Sequence, residues 1–322
     1  MKSSTQFTSL SILIFFAFCH QACAKGKAWT DPETAAKEDA DFLIQGEYAS
    51  KDGKSSHGVQ VVALSGGNFQ AAVYEGGLPG AGAKSTKFVT YKGKRNGDQV
   101  ELKGPDGQSL VIKGSEAKGE GFCYKKITRK SPTLGQAAPK GADYLYHAKS
   151  GINGFNPGKT RGAYLAEGQI SKDSFQDFHL HLEFRTPYKP GTPPGSQDRG
   201  NSGVYIFNNY ETQVLDSFGI KAEFNFCGAL YRTREPDLNM CFPPLAWQTY
   251  DIHFTAPRFE GKEKVKNARI TTIHNGVKIH DDIELPKGTG AGGRRPEKPK
   301  SQIHLQGHGN PVSYRNIWIL SK

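Results

Sequence analysis

The segment Phe178-His179-Leu180-His181-Leu182-Glu183-Phe184-Arg185 alternates strictly between apolar and polar residues. Only a strand with one buried face satisfies a period of two. Leu180, Leu182 and Phe184 must point one way, and His179, His181, Glu183 and Arg185 the other. Similar short runs recur at Thr249 to Phe254, Ala268 to His274, Lys278 to Ile283, Ile303 to Gln306 and Tyr314 to Leu320, with Asn275-Gly276 as a hairpin turn between two of them. Helical periodicity is almost absent. More than seven strands with Gly and Pro turns imply a β-sandwich or jelly roll over residues 143–322.

Upstream, the runs Leu43 to Tyr48, Val59 to Leu64, Phe69 to Tyr74, Phe88 to Tyr91, Gln99 to Lys103, Ser109 to Ile112 and Phe122 to Ile127 describe a small all-β domain over residues 42–129. Its turns carry Gly66-Gly67, Asn96-Gly97 and Asp106-Gly107. The loop Gly76 to Gly82 precedes no helix pattern, so it is not a phosphate-binding loop, and no nucleotide cofactor is implied. Residues 130–142, with Ser131-Pro132 and Ala138-Pro139, have the composition of a linker. The polar stretch 25–41 reads as a short helical or loose leader.

Residues 1–24 hold one Lys, an apolar run from Leu10 to Phe18, and Ala22-Cys23-Ala24, the pattern of a secretory signal peptide cleaved after Ala24. The run is too short to span a bilayer, and no later segment is apolar enough to do so. A secreted or periplasmic location follows. Cys123, Cys227 and Cys241 then remain. In an oxidising compartment Cys227 and Cys241 could close a short loop, worth roughly 3 kcal/mol, and three reduced buried thiols are the alternative. The formal charge of +11 is spread over loops such as Lys125 to Lys130 and Arg294 to Lys300 without aromatic interleaving, which argues against a nucleic-acid partner.

The chemistry concentrates in Arg199 to Ser217. Val204 to Phe207 and Tyr210 to Leu215 flank an Asn-Asn turn, so Glu211 and Gln213 share a face, and a β-bulge near Val214 would bring Asp216 beside them. Glu183 with Arg185, Glu211 with Gln213, and His304 with Gln306 and His308 have matching parity. Three adjacent strands would gather them into one cleft suited to a multi-hydroxyl ligand such as a sugar.

These residues carry a resemblance. Glu183-Phe184-Arg185, Asn201-Ser202-Gly203-Val204-Tyr205, Tyr210 to Asp216, Trp247-Gln248-Thr249-Tyr250, His274 to Val277 and Leu305 to Gly309 leading to Tyr314 to Ile317 follow the order of the 3-keto-disaccharide hydrolase family. That family resembles the concanavalin A-like lectins and glucanases. The resemblance implies a two-sheet jelly roll over about residues 143–320 and cleavage of glycosides oxidised to a ketone at carbon 3. It implies Glu211 or His308 as base, Asp216 as acid or metal ligand, and Arg185, Gln213 and Arg315 holding the sugar, with Glu183, Asn201 and Gln306 completing the set. A divalent metal near Glu211, Asp216 and His308 would suit these ligand types, although no tight spacing demands one.

Glu-x-Gln-x-x-Asp is also similar to the bulged Glu-x-Asp-x-x-Glu motif of laminarinase-like glucanases. Here the middle acid is an amide and the last is one methylene short, which counts against a retaining mechanism. A lectin-like glycan-binding protein of the cell envelope is the alternative to an enzyme, and an envelope scaffold using its basic charge is a third reading. Trp247 and Trp318 sit in apolar β contexts and read as core more readily than as sugar platforms. Oligomeric state is not encoded in these patterns.

Overall fold

The computed structural model describes residues 26–50 and 55–322. The signal-peptide assignment for residues 1–24 lies outside the described residues. Two short helices, Pro32–Glu38 and Ala40–Ile44, open the described chain. Asp31 caps the first, accepting the Thr34 N–H at 2.8 Å, with Pro32 in the first turn. The helical turn takes up Leu43 and Ile44, so the first strand is Gly46–Ala49 rather than 43–48.

Eight antiparallel strands between Gly46 and Ile127 form a closed barrel. Each pairs with the next, and Glu47, Tyr48 and Ala49 close the ring against Ile127, Lys126 and Lys125. Glu116–Gly119, the one barrel strand absent from the sequence reading, has only Ala117 buried. Tyr48, Val59, Val61, Phe69, Val100, Leu102, Leu110 and Ile112 fill the interior. Closure removes both sheet edges, and these side chains form the barrel's own core.

The rest of the described chain is built on two large sheets, with a two-stranded ribbon of Arg258–Glu260 and Glu263–Lys266 besides. One is nine-stranded, with Asp143–His147, Ser313–Ser321, Phe178–Arg185, Gln248–Thr255, Ala268–His274 and Val277–Leu285 as successive neighbours. The other runs Phe155–Asn156, Gln169–Ser171, Ile303–Leu305, Ser202–Ile206, Tyr210–Val214. Leu180, Leu182 and Phe184 from the first sheet join Val204, Ile206, Val214, Ile303 and Leu305 from the second in one core cluster. The sheets therefore pack face to face, and residues of opposite parity lie on the two outer faces.

That arrangement corrects the single-cleft expectation. Glu183 and Arg185 lie on the outer face of the nine-stranded sheet, while Glu211, Gln213, His304 and Gln306 lie on the outer face of the five-stranded one. The core separates them.

Residues 131–137 form a strap across the outer face of the nine-stranded sheet. The Thr133 hydroxyl donates to Asp251 at 2.8 Å, the Gly135 N–H donates to Glu183 at 2.6 Å, and the Gln136 carbonyl accepts from Asn316 and from Trp318. Trp318 is buried beneath this strap, stacked on His181, and not in the apolar core. Barrel and sandwich touch where Arg129, held by Glu47 through two bonds of 2.6 and 2.7 Å, covers the Phe242 ring at 5.1 Å.

Candidate functional site

Ser202–Ile206 and Tyr210–Val214 pair in unbroken register, with Gly203 opposite Gln213 and Tyr205 opposite Glu211. Their turn is centred on Phe207 and Asn208, both with positive φ, one residue earlier than the Asn-Asn reading. Two positive φ values match the right-handed twist of a hairpin. Ile303–Leu305 pairs on the other side and sets His304 beside Tyr205, with ring centroids 5.6 Å apart. Asn201, Tyr205, Glu211, Gln213, His304 and Gln306 thus share one face by strand parity.

Glu211 is 2 % exposed. Burial raises its carboxyl to about pH 7, and a hydrogen bond from the Tyr205 hydroxyl only partly counters that rise. Burial and the neighbouring Glu211 charge hold the Tyr205 phenol far above its ordinary value. His304 is shifted down by burial and then by Arg295. Glu211 Oε2, His304 Nδ1, Gln306 Oε1 and Asn201 Oδ1 are all buried without a hydrogen-bond partner. An unmet buried polar atom costs roughly 1–3 kcal/mol, so these four leave the face with hydrogen-bonding capacity that the protein itself does not use. Gln213 is more constrained: its amide donates to Gln197 Oε1 at 3.2 Å, and its oxygen takes the Val214 N–H at 3.1 Å. A Cβ at Gly203 would crowd Glu211 Oε1, so a larger residue there would displace the Glu211 carboxyl.

Other residues expected at the site stand elsewhere. No bulge turns Asp216 toward Glu211; the strand ends at Val214, and Asp216 forms a buried ion pair with Arg199 Nε at 2.8 Å. Burial still raises the Asp216 pKa, with Arg199 opposing. His308 sits on an exposed loop held by Asn310, whose amide donates to the His308 carbonyl at 3.3 Å. Among the described residues no three His, Cys, Asp or Glu side chains are grouped to hold a metal ion. With Asp216 committed to Arg199, the proposed Glu211–Asp216–His308 ligand set does not fit one. Cys227 and Cys241 are buried free thiols, so the expected disulfide is absent; Cys227 instead meets the Tyr250 hydroxyl at 3.3 Å.

On the opposite face Glu183 is fully partnered. One oxygen accepts from Gly135 N–H at 2.6 Å and Asn316 at 2.9 Å, and the other from Arg315 at 2.6 Å. Burial acts to raise its pKa, but the nearby His181 ring, 3.9 Å away, and the bonds from Asn316, Arg315 and Gly135 outweigh it and bring the carboxyl to about 2. Arg185 donates to the Thr30 carbonyl at 2.7 Å and lies over the Trp247 and Tyr164 rings, tying the N-terminal segment to the sheet. Tyr205 and Arg295 were not singled out in the sequence. The alternation through Tyr205 carries a signal for the first, whereas Arg295 comes from a loop whose approach no local pattern encodes.

Residues 161–320 match the model of the 3-keto-alpha-glucoside-1,2-lyase-like domain, so this part of the chain belongs to the 3-keto-disaccharide hydrolase family. Among solved structures, a candidate glycosyl hydrolase from Parabacteroides distasonis is 26 % identical with a TM-score of 0.51, over 63 % of this chain and 95 % of that one. A second candidate glycosyl hydrolase of that organism is 24 % identical with a TM-score of 0.35, over 57 % of this chain and 94 % of the other. The comparison with curated proteins finds no match. Family and fold together support a carbohydrate-active role. No helix among the described residues is long and apolar enough to cross a membrane.

Proposed function

We propose that the protein cleaves 3-keto-glycosides by elimination followed by hydration, with Glu211 as general base. The observation that carries this reading is a buried carboxyl poised at about pH 7, surrounded by unpartnered polar atoms on one sheet face. A base whose pKa lies near the working pH combines a populated carboxylate with useful basicity. A ketone at carbon 3 acidifies the hydrogen on carbon 2. Glu211 takes that proton, the electron pair forms the enolate, and the bond from carbon 1 to the departing oxygen then breaks as that oxygen gains a proton. Water afterwards adds at carbon 1. Arg295, close enough to shift both Tyr205 and His304, brings positive charge to this face, which would favour an enolate formed there. Asn201, Gln306 and His304 have free hydrogen-bonding capacity for sugar hydroxyls.

The reading includes a concanavalin A-like jelly roll for the two packed sheets, the domain division at residues 42–129 and 143–322, and export of the chain on its first 24 residues. The test is incubation of the purified protein with a 3-keto-disaccharide and with its unoxidised parent, each with and without EDTA. Release of free sugar from the keto compound alone is expected, and it should disappear in Glu211→Gln. Binding of both sugars without turnover would replace this reading with that of a glycan-binding protein.

A further inference from the structure

A hollow of about 620 Å³ opens on the outer face of the nine-stranded sheet, on the far side of the core from Glu211, between the strap and the Tyr144 to Lys149 turn. Its size falls within the usual range for a small-molecule site. Tyr144, Tyr164, Lys149, Arg315 and Asn316 line it, with Glu183 at its base.

Arg315 is the informative residue. Its Nε is fixed by Glu183 at 2.6 Å, and its guanidinium lies 4.1 Å from the centre of the Trp247 ring. Both Glu183 oxygens are occupied, one of them by Gly135 and Asn316. The terminal nitrogens of Arg315 have no hydrogen-bond partner among the described residues, and the side chain is 32 % exposed. A second guanidinium, Arg185, lies 4.9 Å from the same Trp247 ring, and burial, with a smaller contribution from Arg315, disfavours its charge. Lys149 adds a second cation to the lining of the hollow. Glu183, the one carboxylate lining the hollow among the described residues, already accepts from Gly135, Asn316 and Arg315.

We infer that this hollow is a second carbohydrate site, specific for a sugar bearing a carboxylate. The planar fork of Arg315 matches a carboxylate in two-point geometry, with Lys149 adding long-range attraction. The two tyrosine rings, together with the small side chains Ala137, Ala148 and Ala163, give the apolar walls against which the C–H face of a pyranose packs. A bare inorganic anion would leave those walls unused. The site is independent of the Glu211 face and does not depend on its chemistry.

The test is calorimetric titration of the purified protein with a glucuronate-containing disaccharide and with the corresponding neutral glucose disaccharide, repeated at high salt. The acidic sugar should bind at least about tenfold more tightly, equivalent to about 1.4 kcal/mol, and added salt should narrow the gap. Arg315→Lys keeps the charge facing Glu183 but loses the fork, and it should weaken acidic-sugar binding about tenfold. Lys149→Glu, at an exposed position without a structural bond, should also weaken it. Glu211→Gln should leave it unchanged. Equal affinity for the two sugars, no binding of the acidic one, or loss of its binding in Glu211→Gln would each overturn the inference.

Discussion

Two buried glutamates sit on the two outer faces of one sandwich and have been driven in opposite directions. Glu183 accepts from Asn316, Arg315 and the strap, and stays ionised down to about pH 2. Glu211 has the Tyr205 hydroxyl and an unpartnered oxygen, and its carboxyl rises to about 7. Burial is comparable at the two sites, so partner supply decides the difference. A carboxylate whose lone pairs are filled by its own protein holds structure together. One left short is available to something else.

The contrast breaks first at turnover. Glu211→Gln should lower kcat on a 3-keto-disaccharide by about 10²–10⁴-fold, the usual contribution of a positioned base, while Glu183→Gln should leave the kcat of folded protein within a few fold. Steady-state kinetics on both variants, with circular dichroism to confirm folding, decides this.

Stability should show the mirror image. The Glu183 pKa is depressed on folding, so its contribution is present above its unfolded value near 4.5 and is lost as pH falls toward 2. Glu183→Gln should therefore cost about 3 kcal/mol at neutral pH in denaturant melts, and much less near pH 2. The Glu211 pKa is raised, so the folded state holds an extra proton between about 4.5 and 7 and loses stability as pH rises through that window. Glu211→Gln should stabilise the protein by up to about 3 kcal/mol at pH 8, with the gain vanishing near pH 4.

Strand type and facing were legible in the sequence because a period of two fixes them, as the run Phe178 to Arg185 shows. Which polar faces meet was not legible. Parity places Glu183 and Glu211 on solvent-side faces, but only the shared core of Leu182, Val204 and Leu305 reveals that these faces are opposite. The same gap explains Asp216. Its spacing from Glu211 fits a bulged motif, and the partner that captures it, Arg199, lies 17 residues away in the chain. Residues 130–142 have linker composition, yet Thr133 and Gly135 are fixed by Asp251 and Glu183, a long-range fit that composition does not encode.

Smaller effects sharpen the comparison. Gly203→Ala should push Glu211 out of line and lower kcat/KM by about tenfold or more, since angstrom-scale misplacement of a catalytic group is costly. Thr133→Val removes a bond to Asp251 and should cost about 1 kcal/mol of stability with no change in turnover.

The most direct test is a carboxyl ¹³C NMR titration of the two glutamates, assigned with Glu183→Gln and Glu211→Gln. The Glu211 carbon should titrate near pH 7, and the Glu183 carbon should hold its ionised shift until about pH 2. If both carbons titrate together near 4.3, the ordinary value for glutamate, the two faces do not differ as described and Glu211 is not a poised base.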